Sequence, residues 1–412
     1  MMLEEILHRD NLNKAYLKVV QNKGSQGVDG ITTAELKSQI SEEWSAIRQG
    51  LLSRTYQPSP IRRVEIPKPD GGKRKLGIPT VMDRLIQQSI NLYLQRIYDP
   101  TFSKNSYGFR PKRRAHDAVL KAKQYINEGY TWVVDIDLEK FFDKVNHDRL
   151  MRTLSYRISD RRVLSIIRKY LQAGIMENGL VRQNDMGTPQ GSPLSPLLSN
   201  IVLDELDKEL EKRSIRFVRY ADDCQIYTGS KKAAERTRKN MITFIEDKLK
   251  LKVNREKSAV DRPWKRKFLG FSFTASSKGK AKIRIHRKSI QRAKDRIREI
   301  TSRKKSIPME YRIGKLNRFI VGWRNYFRLA ETPSVLKELM KWIRRRLRMV
   351  RWKEWKKPKT KVRNLIALGV SKQKAYEWGN TRKGYWRVAC SPILHHTRND
   401  AYWRRMGLKS LI

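Results

Sequence analysis

Apolar and polar positions alternate with two distinct periods along this chain, and the change of period divides it. Phe217–Tyr227, FVRYADDCQIY, reads as strand, tight turn and strand, with Asp222 and Asp223 at the turn. TWVVDID at 131–137 alternates with period two. It puts Trp132, Val134 and Ile136 on one face and Val133, Asp135 and Asp137 on the other. IRRVEIPKPDGGKRKLGI at 61–78 reads as a hairpin turning at Pro69–Gly72. Helical spacing is expected over 3–20, from Thr80 onward, after Asn146, from about Ser195 to Leu206, and over 231–250. The helix opened by the Thr80–Asp83 capping box carries Ile86, Ile90, Tyr93, Leu94 and Ile97 on one face. LKVNREKSAV and KFLGFSF read as two strand-like runs closing this mixed part.

From about 285 onward the pattern is helical. Ile290, Ala293, Ile297 and Ile300 form one stripe, and Ile313, Leu316, Ile320, Trp323 and Phe327 a second. Leu336, Leu339, Ile343, Leu347 and Val350 form the third. Three packed helices are expected, then a linker at 352–361 and a small basic, aromatic tail.

Charge changes the picture most. The formal net charge is +50, and residues 281–412 hold 38 Lys and Arg against 8 Asp and Glu. Seven of the ten Trp lie there as well. Basic side chains interleaved with aromatics suit phosphate contact and base stacking, so a nucleic acid is the expected partner. No apolar run is long enough for a bilayer, and MMLEEILHRD lacks the order of a secretion signal, so no membrane and a cytoplasmic location are expected. With only Cys224 and Cys390, a four-cysteine zinc site is excluded.

The candidate chemistry is carboxylate chemistry. Adjacent carboxylates between apolar strands repel each other and lose hydration, a penalty that a divalent cation removes. Asp137 supplies a third carboxylate at the end of a strand able to pair beside the Asp222–Asp223 hairpin. Three such groups suit two Mg2+ ions (with Mn2+ as a substitute), which clamp the attacking and leaving oxygens of a phosphoryl displacement. In so basic a chain this points to a nucleic-acid polymerase. The cationic hairpin tip, with Lys68, Lys73, Arg74 and Lys75, reads either as a clamp on a triphosphate or as a solvated turn. Gly24, Gly27 and Gly30 allow close backbone approach, to a ligand or to another part of the chain.

Tyr220-Ala-Asp-Asp223 resembles the active-site signature of reverse transcriptases, and Asp137-Leu-Glu-Lys-Phe-Phe-Asp143 the strand carrying their first Asp. Gly24–Gly30, Ile66–Pro79, Tyr107-Gly-Phe-Arg-Pro111, Thr188-Pro-Gln-Gly191 and Phe268-Leu-Gly-Phe271 follow in the order of group II intron reverse transcriptases. The chain is most similar to the compact maturases of bacterial IIC-type introns. That resemblance implies an α+β right-hand polymerase: fingers and a ferredoxin-like palm over 1–280, an α-helical thumb (maturase domain X) over 281–355, and a small basic DNA-binding domain over 356–412.

By resemblance, Asp137, Asp222 and Asp223 hold the metals, with the Leu138 carbonyl as an extra ligand. Lys68, Arg74 and Gln190 bind the nucleotide, and Phe142 is the steric gate against a 2′-hydroxyl. Lys257 would act as general acid on the pyrophosphate. Leu269 and Gly270 would grip the primer, and Gly24–Gly30 would meet the template. The implied partners are group II intron RNA, an RNA template with a DNA primer, dNTPs and target DNA, with a homodimer left open. Ser192 stands where a second Gly is expected, and no cysteine-rich endonuclease module follows before Ile412. Two alternatives stay open: a splicing cofactor with a vestigial polymerase site, and a retron, diversity-generating or CRISPR-associated reverse transcriptase.

Overall fold

The computed structural model describes residues 2–68, 71–177, 180–182, 186–275 and 280–412. The chain divides into two compact units, Met1–Arg262 and Pro263–Ile412. Ten strands occur among the described residues: β1 (Ile61–Pro67), β2 (Lys73–Ile78), β3 (Trp132–Ile136), β4 (Ile175–Glu177), β5 (Leu180–Arg182), β6 (Arg216–Tyr220), β7 (Asp223–Thr228), β8 (Ala259–Asp261), β9 (Phe271–Phe273) and β10 (Ile283–Ile285).

In the first unit they form two four-stranded sheets, ordered β2-β1-β4-β5 and β6-β7-β3-β8. The second sheet carries the site. β3 lies inside it, antiparallel to both β7 and β8. The helix Lys231–Thr243 packs against it, and Val133 and Val134, on opposite faces of β3, are both fully buried, so burial does not alternate with the faces. Leu198, Ile201, Phe217 and Ile226 belong to the same core, to which the helices Val81–Tyr98 and Ser195–Lys212 each contribute seven buried apolar side chains.

The helix beginning at Val81 is buried all round over its first ten residues, not on one face. Its N-cap Thr80 accepts the Asp83 amide, as the capping box predicts. The Asp83 carboxylate turns inward, accepting from Tyr56 Oη (2.7 Å), Tyr170 Oη (3.1 Å) and the Ser59 amide (3.1 Å). Four donors, counting the Thr80 hydroxyl, compensate its desolvation.

Two expectations change and a third holds. The helix over 3–20 is two helices, Met2–Ile6 and Arg9–Gln21, because the His8 side chain caps the second by accepting the Asp10 amide. LKVNREKSAV contributes an isolated bridge at Val253 and a loop before β8, rather than one strand. The hairpin over 61–78 forms as β1 and β2, although Pro69 and Asp70 of its turn lie outside the described residues.

In the second unit the three striped helices appear as Arg287–Ile300, Met309–Tyr326 and Pro333–Glu354. Their core also takes in Trp403, Leu408 and Leu411 from the tail. The expected linker is structure instead. Trp352 is only 2% exposed, and with Trp355 it anchors a further apolar cluster containing Val362, Leu365, Ala375, Val388 and Leu394. The run of charges masked two tryptophans whose large apolar rings are buried in that cluster. No helix among the described residues is long and apolar enough to cross a membrane.

Candidate active site

The β6–β7 hairpin is tighter than the sequence implies. Tyr220 pairs directly with Asp223, leaving Ala221 and Asp222 as the two-residue turn and placing Asp223 on β7. Ala221 takes φ +57°, the left-handed conformation that such turns require and that disfavours an L side chain by about 1–2 kcal/mol. Two neighbours hold it there. Gly108 lies so close that a Cβ on it would meet the Ala221 nitrogen at 2.2 Å, so only glycine fits. The Arg219 guanidinium donates to the Ala221 carbonyl at 2.9 Å.

Asp137 follows β3 directly. Since Ile136 pairs with Cys224, the next level of the ladder sets Asp137 across from Asp223. Its backbone is clamped on both sides: the Asp137 amide donates to Ser258 Oγ (3.0 Å), and its carbonyl accepts the Asn254 amide (2.8 Å). The loop Asn254–Ser258, which sequence reasoning treated as strand, is therefore what positions this aspartate. Leu138 bridges Val253 through the Asp137 carbonyl and the Glu139 amide rather than through its own polar groups.

Burial pushes the Asp137 carboxyl above its usual range; Lys257 opposes this, Asp222 adds to it, and Lys68 opposes it again. Two carboxylates and two ammonium groups therefore lie within electrostatic reach of one another. Asp222 is exposed, and Asp137 and Asp223 are half-buried. This is a set of hard, anionic oxygens of the kind a hard divalent cation prefers. Among the described residues, however, no group of three or more His, Cys, Asp or Glu side chains is gathered tightly enough to hold a metal ion. The donor chemistry fits such an ion, while the closed cage is not formed in this conformation.

Around these carboxylates, backbone bonds tie two further predicted residues, Phe142 and Gln190, into one framework. The Phe142 carbonyl accepts the Thr188 amide (2.6 Å), and the Gln190 carbonyl accepts the Gly77 amide of β2 (2.7 Å). The Phe142 ring is half-buried, edge-on to Phe141 with centroids 5.2 Å apart. Arg74 faces Ile66 across the β1–β2 ladder and is exposed, as is Lys68. Ser192 is buried, with its hydroxyl donating to Gln87 Oε1 at 2.6 Å, so it braces the loop from beneath.

The remaining predicted residues lie elsewhere. Gly27 packs on backbone, where a Cβ would meet Thr80 Cα at 2.6 Å, and Arg84 donates to the neighbouring Ser25 carbonyl (2.7 Å). Gly24 abuts the Arg84 guanidinium, whereas Gly30 stands in open space with φ +73°. Leu269 (φ +50°) and Gly270 belong to the second unit. There the Leu269 carbonyl accepts Tyr326 Oη (2.8 Å) and the Gly270 carbonyl accepts Ser289 Oγ (2.8 Å).

Comparison with known proteins identifies the family. Residues 66–273 match the family model for reverse transcriptase (RNA-dependent DNA polymerase), and residues 290–368 that for the group II intron maturase-specific domain. Protein YkfC of Escherichia coli (strain K12) is 34% identical over 299 residues, spanning 63% of this chain and 78% of that protein. The group II intron-encoded protein LtrA of Lactococcus lactis subsp. cremoris is 31% identical over 375 residues, spanning 73% of this chain and 62% of LtrA. A putative COX1/OXI3 intron 2 protein of Saccharomyces cerevisiae is 36% identical over 202 residues, 48% of this chain and 23% of that protein.

The chain belongs to the group II intron-encoded reverse transcriptase/maturase family. RNA-directed DNA polymerisation is the activity of that class, and its chemistry depends on divalent metal.

Proposed function

We propose that the chain copies RNA into DNA at Asp137, Asp222 and Asp223, and that it binds group II intron RNA to assist splicing and mobility. The observation carrying the reading is the meeting of Asp137 and Asp222 at the turn end of one β-ladder, with the Asp222 charge close enough to add to the upward push on the Asp137 carboxyl. When bound, two Mg2+ ions would activate the primer 3′-hydroxyl and offset charge on the leaving pyrophosphate. The three aspartates would hold them, with the Leu138 carbonyl as an added ligand and Mn2+ as a substitute.

The rest of the site binds and orients. Lys68 and Arg74 would hold the incoming dNTP's phosphates from the β1–β2 hairpin, and Gln190 would meet it near the sugar. Phe142 would fill the space a 2′-hydroxyl needs; support comes from its packing against Phe141 and the adjoining Thr188 loop. Lys257, within electrostatic reach of Asp137, would give a proton to pyrophosphate. Leu269 and Gly270 would guide the primer end, and Gly24–Gly30 the template. In this reading residues 1–280 are fingers and palm, 281–355 thumb, and 356–412 a DNA-binding domain. The partners are intron RNA, a primed RNA template and target DNA, in a bacterial cytoplasmic ribonucleoprotein, with or without a second copy of the chain.

Primer extension on an RNA template with Mg2+ and dNTPs tests the reading. Synthesis by the wild type that is absent from Asp222→Ala supports it, and synthesis undiminished in Asp222→Ala refutes the site.

A further inference from the structure

Arg219 precedes the Tyr220-Ala-Asp-Asp223 turn, in the middle of β6, and is completely buried. An arginine in that position needs partners for its whole guanidinium. Nε donates to Asp207 Oδ1 (2.7 Å), and Nη2 forms an ion pair with the other carboxylate oxygen. Nη1 is shared between Asn200 Oδ1 (3.0 Å) and the Ala221 carbonyl (2.9 Å). Asp207 and Asn200 both belong to the helix Ser195–Lys212 and are themselves buried. Asn200 passes the connection on, donating to the Gly108 carbonyl at 2.9 Å. The Arg219 backbone is engaged as well, its amide donating to Asn105 and its carbonyl accepting from Tyr107.

A left-handed alanine is thus held from two directions, by a glycine backbone above it and a charged donor beneath. Both holds trace to Arg219 or to the side chains bonded to it. A buried Arg–Asp pair contributes little net stability compared with apolar replacements, so the fold alone does not explain it. Among the described residues the exposed Asp222 side chain makes no hydrogen bond that would aim it at Asp137, and the Ala221 carbonyl, one residue before it, is a point at which the core grips that turn.

We infer that Arg219 is a positioning residue: through the Ala221 carbonyl it sets the Ala221–Asp222 turn and so aims the Asp222 carboxylate for metal binding. The inference rests on the proposed role of Asp222. Arg219→Lys keeps a charge for Asp207 but lacks the planar fork that serves Asp207 and Ala221 together. The paired swap Arg219→Met with Asp207→Leu removes the charges while filling the volume.

Both variants are to be measured for Tm, for Mn2+ affinity by electron paramagnetic resonance on the full chain, and for kcat and KM in primer extension. The expected result is folded protein with Mn2+ binding weakened about tenfold. A fall in kcat of about a hundredfold is expected beside it, with KM for primer–template unchanged. Wild-type Mn2+ binding and kcat in a folded variant overturn the proposal. Failure of both variants to fold also overturns it, since Arg219 then serves the fold. Asp222→Ala is run alongside. If it keeps Mn2+ binding and synthesis, the metal reading itself fails; if it loses them while the Arg219 variants do not, only this proposal fails.

Discussion

Arg219 beside the candidate site and the buried arginines of the second unit are satisfied in different ways. In the first unit, Arg219 meets a carboxylate, Asp207, and its remaining donors fix one turn. In the second, Arg312 spends its guanidinium on the carbonyls of Ile300, Ser302 and Lys305, closing the end of the helix Arg287–Ile300. Arg348 likewise donates to the Ala389 and Arg398 carbonyls, and Arg398 stacks over Tyr402 at 4.2 Å. Burial pushes both Arg348 and Arg398 down to about 10.

The difference fits the roles proposed for the two units. A site that moves a phosphoryl group needs individual charges held at fixed places, so charge is matched to charge. A surface that tracks a polyanion needs net positive charge over a wide area. There the core satisfies its cations with carbonyls and rings and leaves their charge uncancelled.

The largest effect expected from breaking this division is in Asp222→Ala. Primer extension should vanish, while RNA affinity, read by filter binding, stays within about tenfold. The reverse experiment acts on the basic surface: if six to ten phosphates are contacted, RNA affinity should fall by about a thousandfold or more between 50 and 200 mM salt. A flat dependence would separate the +50 charge from RNA binding. Phe142→Ala should raise ribonucleotide incorporation by about tenfold or more relative to deoxynucleotides, measured in parallel extensions.

Smaller changes sharpen the contrast within each core. Arg312→Met leaves three buried-end carbonyls without their donor, and should lower stability by about 1–3 kcal/mol in urea unfolding. Asp204, beside Asp207, tests the first unit by pH. Burial pushes its carboxyl up to about 6, and Oδ1 has no hydrogen-bond partner among the described residues. A raised folded value means that the favourable contribution is complete below the unfolded value near 3.8 and is lost as pH rises through about 6. Asp204→Asn should therefore raise Tm at pH 7.5, by a gain on the order of 2 kcal/mol, and the gain should disappear by pH 4.

Much of this organisation was legible in the chain. FVRYADDCQIY announced its hairpin through apolar residues flanking a polar pair, and the three helical stripes of the second unit lie on the helices they predicted. Asp223 was placed in the turn rather than on β7, because strand pairing, not local composition, decides where a hairpin turns. Arg219 escaped notice because a polar residue in a short strand reads as solvent-facing. Its partners lie 12 and 19 positions away on a helix, and nothing local reveals them.

Sequence by itself determined the family, the basic character of the second unit and the identities of the candidate carboxylates, because these reside in residue type and order. Only the tertiary structure decided what aims those carboxylates. Gly108 pressed on Ala221, Asp207 and Asn200 holding Arg219 beneath it, and the Asn254–Ser258 loop clamped on Asp137 are contacts between segments separated in the chain. Such contacts depend on backbone approach and buried hydrogen bonding, which periodicity and composition do not encode.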